Sequence, residues 1–106
     1  MKASEPSAEV VFDALGDANR RQIILMLGDG PRSPSELRGP LGISLAGVVQ
    51  HVKVLEESRL IRTEKVGRVR RCYIAPDGFA AATSWLEERK AALERNLDRL
   101  GKVLDG

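Results

Sequence analysis

Residues that could carry covalent or metal chemistry are few in this sequence of 106 residues. His51 is its only histidine and Cys72 its only cysteine. A zinc or other transition-metal site usually needs three or four such ligands, so we expect none within one chain. No glycine-rich phosphate loop and no pairing of a nucleophile with a base is visible. The sequence therefore gives no support for an enzyme, and we expect no catalytic residue, no metal and no cofactor.

The patterns around these two residues favour structural roles. His51 adjoins Val52 and lies one helical turn from Leu55, which indicates a packed histidine; catalysis or metal binding is the alternative. Cys72 shares a predicted strand face with Ile74, which indicates a buried, inert thiol, with a redox sensor as the alternative.

A different chemistry is carried by residues 44–61, which we predict to form a helix followed by the start of a β-hairpin. Val48, Val52 and Leu55 recur at helical spacing and predict one buried face, with Ser44 as the N-cap. Glutamine can pair with adenine, and aliphatic groups can contact thymine methyls, so the opposite face suits base edges in a DNA groove. The alternative places Leu45 and Val49 in the core. Only Gln50 and Lys53 would then remain to contact bases. The residues of this face are Leu45, Ala46, Val49, Gln50 and Lys53.

Positive charge concentrates around the same segment. Residues 44–75 hold seven Lys and Arg against three Glu, a local charge of +4 in a chain whose net charge is +2. Such a surface is typical of contact with phosphate, although solvated charge without a partner is the alternative. Arg68 and Arg70 are the predicted phosphate contacts beside Lys53, and Arg71 is a weaker candidate.

The elements that position these residues follow from caps, turns and periodicity. We predict a mostly α fold with a small β-hairpin, in the order α-α-α-α-β-β-α, because helix, turn and helix precede two β-type runs. A Ser33–Glu36 capping box opens the third helix. Pro76–Gly78 is expected to end the hairpin. The predicted elements are helices at Ala8–Leu15, Ala18–Leu27, Ser33 to Gly39-Pro40 and from Ser44 to the extended segment that begins after Arg59, a hairpin of Arg62–Val66 and Val69–Ile74 around Gly67-Arg68, and a helix at Phe79–Leu104.

Two further features concern packing. Arg20 and Arg21 open the second helix, where the helix dipole disfavours cations, so we expect them to tie helix ends together, with carboxylates or phosphate as alternative partners. In the last helix, leucines recur at spacings of three, four and seven residues. This helix is too long for its apolar stripe to be buried within one small domain, so a second copy of the helix is expected to cover that stripe.

The features, in this order, resemble the ArsR/SmtB family of bacterial winged-helix repressors. The resemblance spans roughly residues 9–75, with the helical tail where the family has its dimerisation helix. It implies a winged helix-turn-helix fold, a recognition helix in the major groove, and a homodimer built from the first and last helices. The matching segments are LGDANRR at 15–21, the capped helix start Ser33–Leu37, the helix from Ser44 through HVKVL at 51–55, Leu60-Ile61 and Gly67-Arg68.

Departures from the family pattern bear on the signal and the operator. Members that sense metal through cysteines carry Cys-x-Cys near the third helix, where this chain has ELRGPL at 36–41. Members that sense metal through the last helix use His and Asp pairs there, and this last helix has no His. The sequence thus resembles a metal-independent branch. The family tends to be polar where this chain has Leu45 and Val49, which favours a different operator.

We therefore predict a cytoplasmic, homodimeric transcriptional repressor that binds double-stranded DNA and no membrane. Its domain would comprise a flexible N-terminus (1–8), the DNA-binding part (9–75) and a dimerisation helix (76–106). The alternatives are a winged helix that binds proteins instead of DNA, and a repressor switched by the thiol of Cys72. The expected DNA contacts are Ser44, Leu45, Ala46, Val49, Gln50, Lys53, Arg68 and Arg70. The expected dimer contacts are Val10, Val11, Ala14, Trp85, Leu86, Leu93, Leu97, Leu100 and Leu104.

Overall fold

The chain forms five helices and one hairpin in the predicted order. The structure is a computed structural model that describes residues 6–105, with side chains described through Lys102. Most of the predicted flexible N-terminus and the side chain of Leu104 lie outside these described residues. The elements are α1 (Ala8–Leu15), α2 (Ala18–Gly28), α3 (Pro34–Leu41), α4 (Leu45–Glu57), β1 (Ile61–Val66), β2 (Val69–Ile74) and α5 (Pro76–Asp105).

Side-chain caps set where the first four helices begin. Each cap accepts a hydrogen bond from a first-turn amide, which otherwise has no helical partner. At α3 the capping box is complete, because the Glu36 carboxylate also accepts from the Ser33 amide. Helix α3 ends at Leu41, just beyond the predicted Gly39-Pro40, since a proline so near the end removes only one helical hydrogen bond. The caps are Ser7, Asp17, Ser33 and Ser44.

The hydrophobic core lies where α1–α4 meet the hairpin and the first turns of α5. It is mostly aliphatic, as the low aromatic content of 4% requires. Leu60 and Ile61 extend this core from the end of α4 into β1. Its buried members are Val11, Ala14, Ile23, Leu27, Leu37, Val48, Val52, Leu55, Leu60, Ile61, Cys72 and Ala82.

The hairpin, here called the wing (residues 61–74), pairs β1 with β2 in antiparallel register from Ile61↔Ile74 to Val66↔Val69. Gly67 supports the turn with a φ of 65°, a conformation that glycine adopts without strain. The backbone of Arg32 exchanges two hydrogen bonds with Cys72, of 3.3 and 2.8 Å. The base of the wing is therefore held to the turn between α2 and α3.

Helix α5 begins at Pro76, so the prediction that residues 76–78 end the hairpin and precede the helix is wrong. Proline suits a first helical position because its missing N–H would be unpaired there. Gly78 is buried, and its amide donates to the Arg59 carbonyl at 2.9 Å. An added Cβ would lie 2.6 Å from the Ser58 oxygen, so the start of α5 and the end of α4 meet at a position that only glycine fits.

None of the helices within residues 6–105 combines the length and the apolarity that crossing a bilayer requires.

Candidate nucleic-acid interface

Helix α4 has the predicted rotation. Val48 and Leu55 are fully buried and Val52 is 5% exposed. On the opposite face, Leu45 is 39% exposed and Val49 50% exposed. The alternative that these two residues belong to the core is therefore wrong. Ala46, Gln50 and Lys53 are exposed on the same helix face.

The amino end of α4 is open to solvent. Ser44 is exposed, and its hydroxyl oxygen accepts from the Gly47 amide at 3.1 Å. The remaining first-turn amides point along the helix axis, where the dipole favours an anion. This arrangement suits the predicted phosphate contact at Ser44, which stays a prediction.

The wing presents a mixed apolar and basic surface at its tip. Val66 and Val69 are about half exposed, at 51% and 48%, and Arg68 between them is exposed. Among the described residues, Arg68 has no recorded ion pair with a carboxylate. Its guanidinium is therefore available to a ligand without loss of an internal contact.

Arg70 occupies a different environment from Arg68. Its Nη1 donates to the Thr63 Oγ1 at 2.6 Å, and that hydroxyl donates to the Glu56 Oε2 at 2.7 Å. This chain of hydrogen bonds joins both strands of the wing to the last turn of α4. Arg70 thus helps to hold the wing against the helix, and only part of its hydrogen-bonding capacity remains for phosphate.

Two other basic residues of this half, Arg62 and Arg71, contact groups of the protein itself. Arg62 forms an ion pair with Glu64 and stacks 4.5 Å from the centre of the Tyr73 ring. Arg71 donates to the Pro31 carbonyl at 3.5 Å. This contact directs Arg71 toward the turn before α3, which is consistent with its being the weaker candidate for a phosphate contact.

An open groove of about 600 Å³ separates α4 from the wing. It brings together Leu45 and Val49 from α4 with Arg68 and Arg70 from the wing, four residues that the sequence analysis selected separately. Ala46, Gln50 and Lys53 share the exposed face of α4 but do not line the groove itself. Sequence reasoning missed the groove residues Ser33, Pro34, Ser35 and Val69. The capping box predicted the helix that begins at Ser33–Ser35, and the β-type run predicted the strand that contains Val69. Neither pattern indicated that these residues share a surface with α4.

Arg20 and Arg21 bind the end of α1, as the scaffold interpretation predicts. Arg20 Nε donates to the Ala14 carbonyl at 2.6 Å, and Arg21 Nη1 donates to the Leu15 carbonyl at 2.7 Å. These carbonyls carry the negative end of the α1 dipole and have no helical donor. The two arginines therefore satisfy the end of one helix while opening the next.

Cys72 is fully buried and faces the core. Burial, with the nearby Glu56 carboxylate as a smaller cause, raises the pKa of the Cys72 thiol to about 11. A thiol reacts as its thiolate, so Cys72 is a poor nucleophile near neutral pH. Among residues 6–105, no cluster of three or more His, Cys, Asp or Glu side chains is arranged to hold a metal ion.

The predicted dimer surface divides into exposed and buried residues. Val11 and Ala14 are fully buried in the core of their own chain and can bury nothing more against a partner, so their assignment to the dimer interface is wrong. The packing of α1 against α5 within one chain accounts for both. Phe12 makes an edge-on contact with Trp85, with ring centres 5.4 Å apart. The exposed members are Val10, Trp85, Leu86, Leu93, Leu97 and Leu100, at 41–59%.

Comparison with known proteins agrees with this architecture. A family model described as a helix-turn-helix domain matches residues 15–64. The HTH-type transcriptional regulator Rv2034 of Mycobacterium tuberculosis is 36% identical over 81 residues, which are 76% of each chain. The residues matched by the family model include the helix-turn-helix segment and the groove residues contributed by α3, its cap and α4.

Solved structures extend the likeness to the fold. The crystal structure of an ArsR family transcriptional regulator is 40% identical, covers 81% of this chain and 89% of its own, and superposes with a TM-score of 0.75. An ArsR-like transcriptional regulator from Rhodococcus sp. RHA1 is 28% identical, covers 91% of both chains, and has a TM-score of 0.81. These matches to transcriptional regulators favour DNA binding over the alternative of a winged helix that binds proteins instead of DNA. The chain belongs to the ArsR family of winged helix-turn-helix regulators, non-enzymatic proteins that control transcription by binding DNA.

Proposed function

We propose that this regulator represses transcription as a homodimer that occupies a palindromic operator, without a metal cofactor. The proposal rests on the groove between α4 and the wing, because aliphatic side chains that can contact bases lie there beside the arginines of the wing. Leu45, Ala46 and Val49 supply a close-fitting aliphatic surface for thymine methyls, and Gln50 supplies the paired donor and acceptor that adenine requires. Lys53 and Arg68 flank this surface and would bind phosphate.

The dimer rests on α5. This helix has 30 residues, so it is about 45 Å long, yet beyond Ala82 its described leucines are more than half exposed. A second copy related by two-fold symmetry would cover Leu86, Leu93, Leu97 and Leu100 against the same residues. The pair would present two α4 helices to successive turns of one face of the duplex, with half-sites about 34–36 Å apart.

Metal independence is supported by the environments of the one cysteine and the one histidine, the residue types that most often bind transition metals. Cys72 is buried in the core, and His51 has neighbours at both ring nitrogens: the Arg20 guanidinium at 3.3 Å and the Asp17 carboxylate at 4.0 Å. A metal ion would have to displace these contacts. Repression itself follows from occupancy, since a dimer that covers an operator overlapping a promoter excludes the polymerase.

The test is nuclease protection of the DNA upstream of the protein's own coding sequence, across a salt series and with EDTA-treated protein. We expect a protected palindrome, a dimer mass in sedimentation, and lower transcript yield from that promoter in vitro. A random-sequence duplex of equal length is the control. Absence of binding at low salt, a single protected half-site bound by a monomer, or loss of protection with EDTA would contradict the corresponding part of the proposal.

A further inference from the structure

One guanidinium connects three elements that the proposed function needs to keep in fixed relation. Arg20 lies in the first turn of α2. Its Nε donates to the Ala14 carbonyl at 2.6 Å and its Nη2 to the Asp13 carbonyl at 3.3 Å, both at the end of α1. Its Nη1 lies 3.3 Å from Nδ1 of His51, on α4. A planar guanidinium holds several bonds in one fixed geometry, so Arg20 sets the position of α4 relative to α1.

The neighbours of His51 determine its tautomer. A guanidinium can only donate, so Nδ1 of His51 must accept and carries no proton. The proton of the neutral ring is then on Nε2, which lies 4.0 Å from Oδ1 of Asp17. Both ring nitrogens therefore face groups of matching polarity, and the ring is only partly exposed, at 19% of its side chain.

Asp17 is held in place by the backbone. Its Oδ1 accepts from the amides of Asn19 at 2.8 Å and Arg20 at 3.2 Å. These hydrogen bonds, that of Arg20 first, lower the pKa of the Asp17 carboxyl, with smaller contributions from His51 and the Arg20 charge. Asp17 is therefore an anion at the operating pH, on the Nε2 side of the ring.

We infer that Arg20 and His51 are positioning residues for DNA binding, which fix the recognition helix α4 to the end of α1, the helix that packs on α5, through the Arg20–Nδ1 hydrogen bond. This inference rests on the proposed function, since it assumes that both copies of α4 must reach their half-sites together. His51 adjoins Gln50, so a rotation of α4 at His51 displaces the base-reading side chain directly. The coupling matters for operator DNA, where register counts, and little for random DNA.

The experiment compares wild type with His51→Asn and His51→Phe. The Oδ1 of asparagine can occupy the place of Nδ1 and accept from Arg20 without titrating, whereas phenylalanine keeps a ring and removes the acceptor. Operator affinity is measured by fluorescence anisotropy at fixed salt and pH 7.5, with random DNA in parallel. At pH 7.5 we expect H51F to lose roughly three- to tenfold in operator affinity and H51N to stay near wild type.

Rescue by asparagine separates positioning from packing, because asparagine restores the acceptor but not the ring. H51N as weak as H51F, or an equal loss of affinity for random DNA, would overturn the inference. If H51F does not fold, H51N and the ¹⁵N shifts of the wild-type ring still decide, because a proton on Nδ1 contradicts the hydrogen bond from Arg20. Failure of wild type itself to bind the operator at low salt would instead refute the proposed function.

Discussion

Two regions of this protein expose aliphatic side chains to a similar degree, yet their chemistry differs. On α5, Leu93 and Leu97 are 59% and 58% exposed, and on α4, Val49 is 50% exposed. The α5 leucines form a continuous stripe flanked by Glu, Arg and Lys, which is the pattern of a helix–helix contact. The α4 surface is short, includes Ala46 and Gln50, and is bordered by arginines of the wing. Exposure alone therefore does not identify a partner; the polar groups around the apolar surface do.

The largest expected effect removes the α5 contact. The double substitution Leu93→Glu with Leu97→Glu places charge in the centre of the stripe, where a partner helix would have to bury it. We expect monomers in sedimentation and a loss of operator affinity of about 10²–10⁴-fold, because two linked half-sites bind far more tightly than one. Ala91→Glu adds the same type of charge on the opposite face and should preserve the dimer. A double variant that stays dimeric would show that the stripe is not the interface.

The next effect concerns base reading on α4. Gln50→Ala should weaken binding to the operator by about 1–3 kcal/mol and relax base preference at one position of each half-site. Replacing thymines by deoxyuridine in that half-site tests Leu45 and Val49 separately, since only the methyl group is lost. Both are measured by competition against random DNA. An equal loss on random DNA would exclude direct reading by this face.

The junction of the two regions is tested at Gly78. Gly78→Ala places a Cβ against the Ser58 and Arg59 carbonyls, at 2.6 and 2.9 Å, so we expect the free energy of unfolding to fall by about 1–3 kcal/mol. Chemical denaturation measures it. Gly39→Ala in α3 is the control, because its Cβ would meet no atom within 4 Å and alanine favours a helix. A Gly78→Ala protein as stable as wild type would show that α5 can shift away from α4 at no cost.

A smaller difference should separate the two wing arginines. Arg68→Ala should weaken binding to all DNA sequences and reduce the slope of log affinity against log salt by about 1, because one phosphate contact is lost. Arg70→Ala should reduce the slope by less and loosen the wing, because Arg70 already donates to Thr63 at 2.6 Å. Equal slopes for the two variants would contradict this distinction.

The smallest effect is expected at Cys72. Cys72→Ser should leave the response of DNA binding to mild oxidants unchanged, because the thiol is fully buried and its pKa is raised to about 11. In the folded protein, alkylation by iodoacetamide should be slow at pH 7 and become faster only as the pH rises toward that value. A rapid reaction at neutral pH would restore the thiol-switched alternative.

Local patterns predicted most of the fold and four of the residues that line the groove. Caps and spacing were sufficient for α1–α4 and for the rotation of α4, since both depend on residues a few positions apart. The start of α5 was mispredicted because Pro76 and Gly78 also occur together in turns, and only the contact with Arg59 identifies Gly78 as a helical residue. Val11 and Ala14 were misassigned because an eight-residue helix has apolar residues for both its own core and a partner. The Arg20–His51 contact joins positions 31 apart, and no local rule predicts it.

The passage from the wing to α5 has a mechanical consequence. Ala75 alone separates Ile74 from Pro76, and its amide donates to the Leu60 carbonyl at 3.0 Å. Because this connection is so short, we expect a tilt of the long helix to move the hairpin that would flank the duplex. A ligand that separated the two α5 helices of a dimer would then move both hairpins. The regulator could release its operator although the ligand binds far from the DNA.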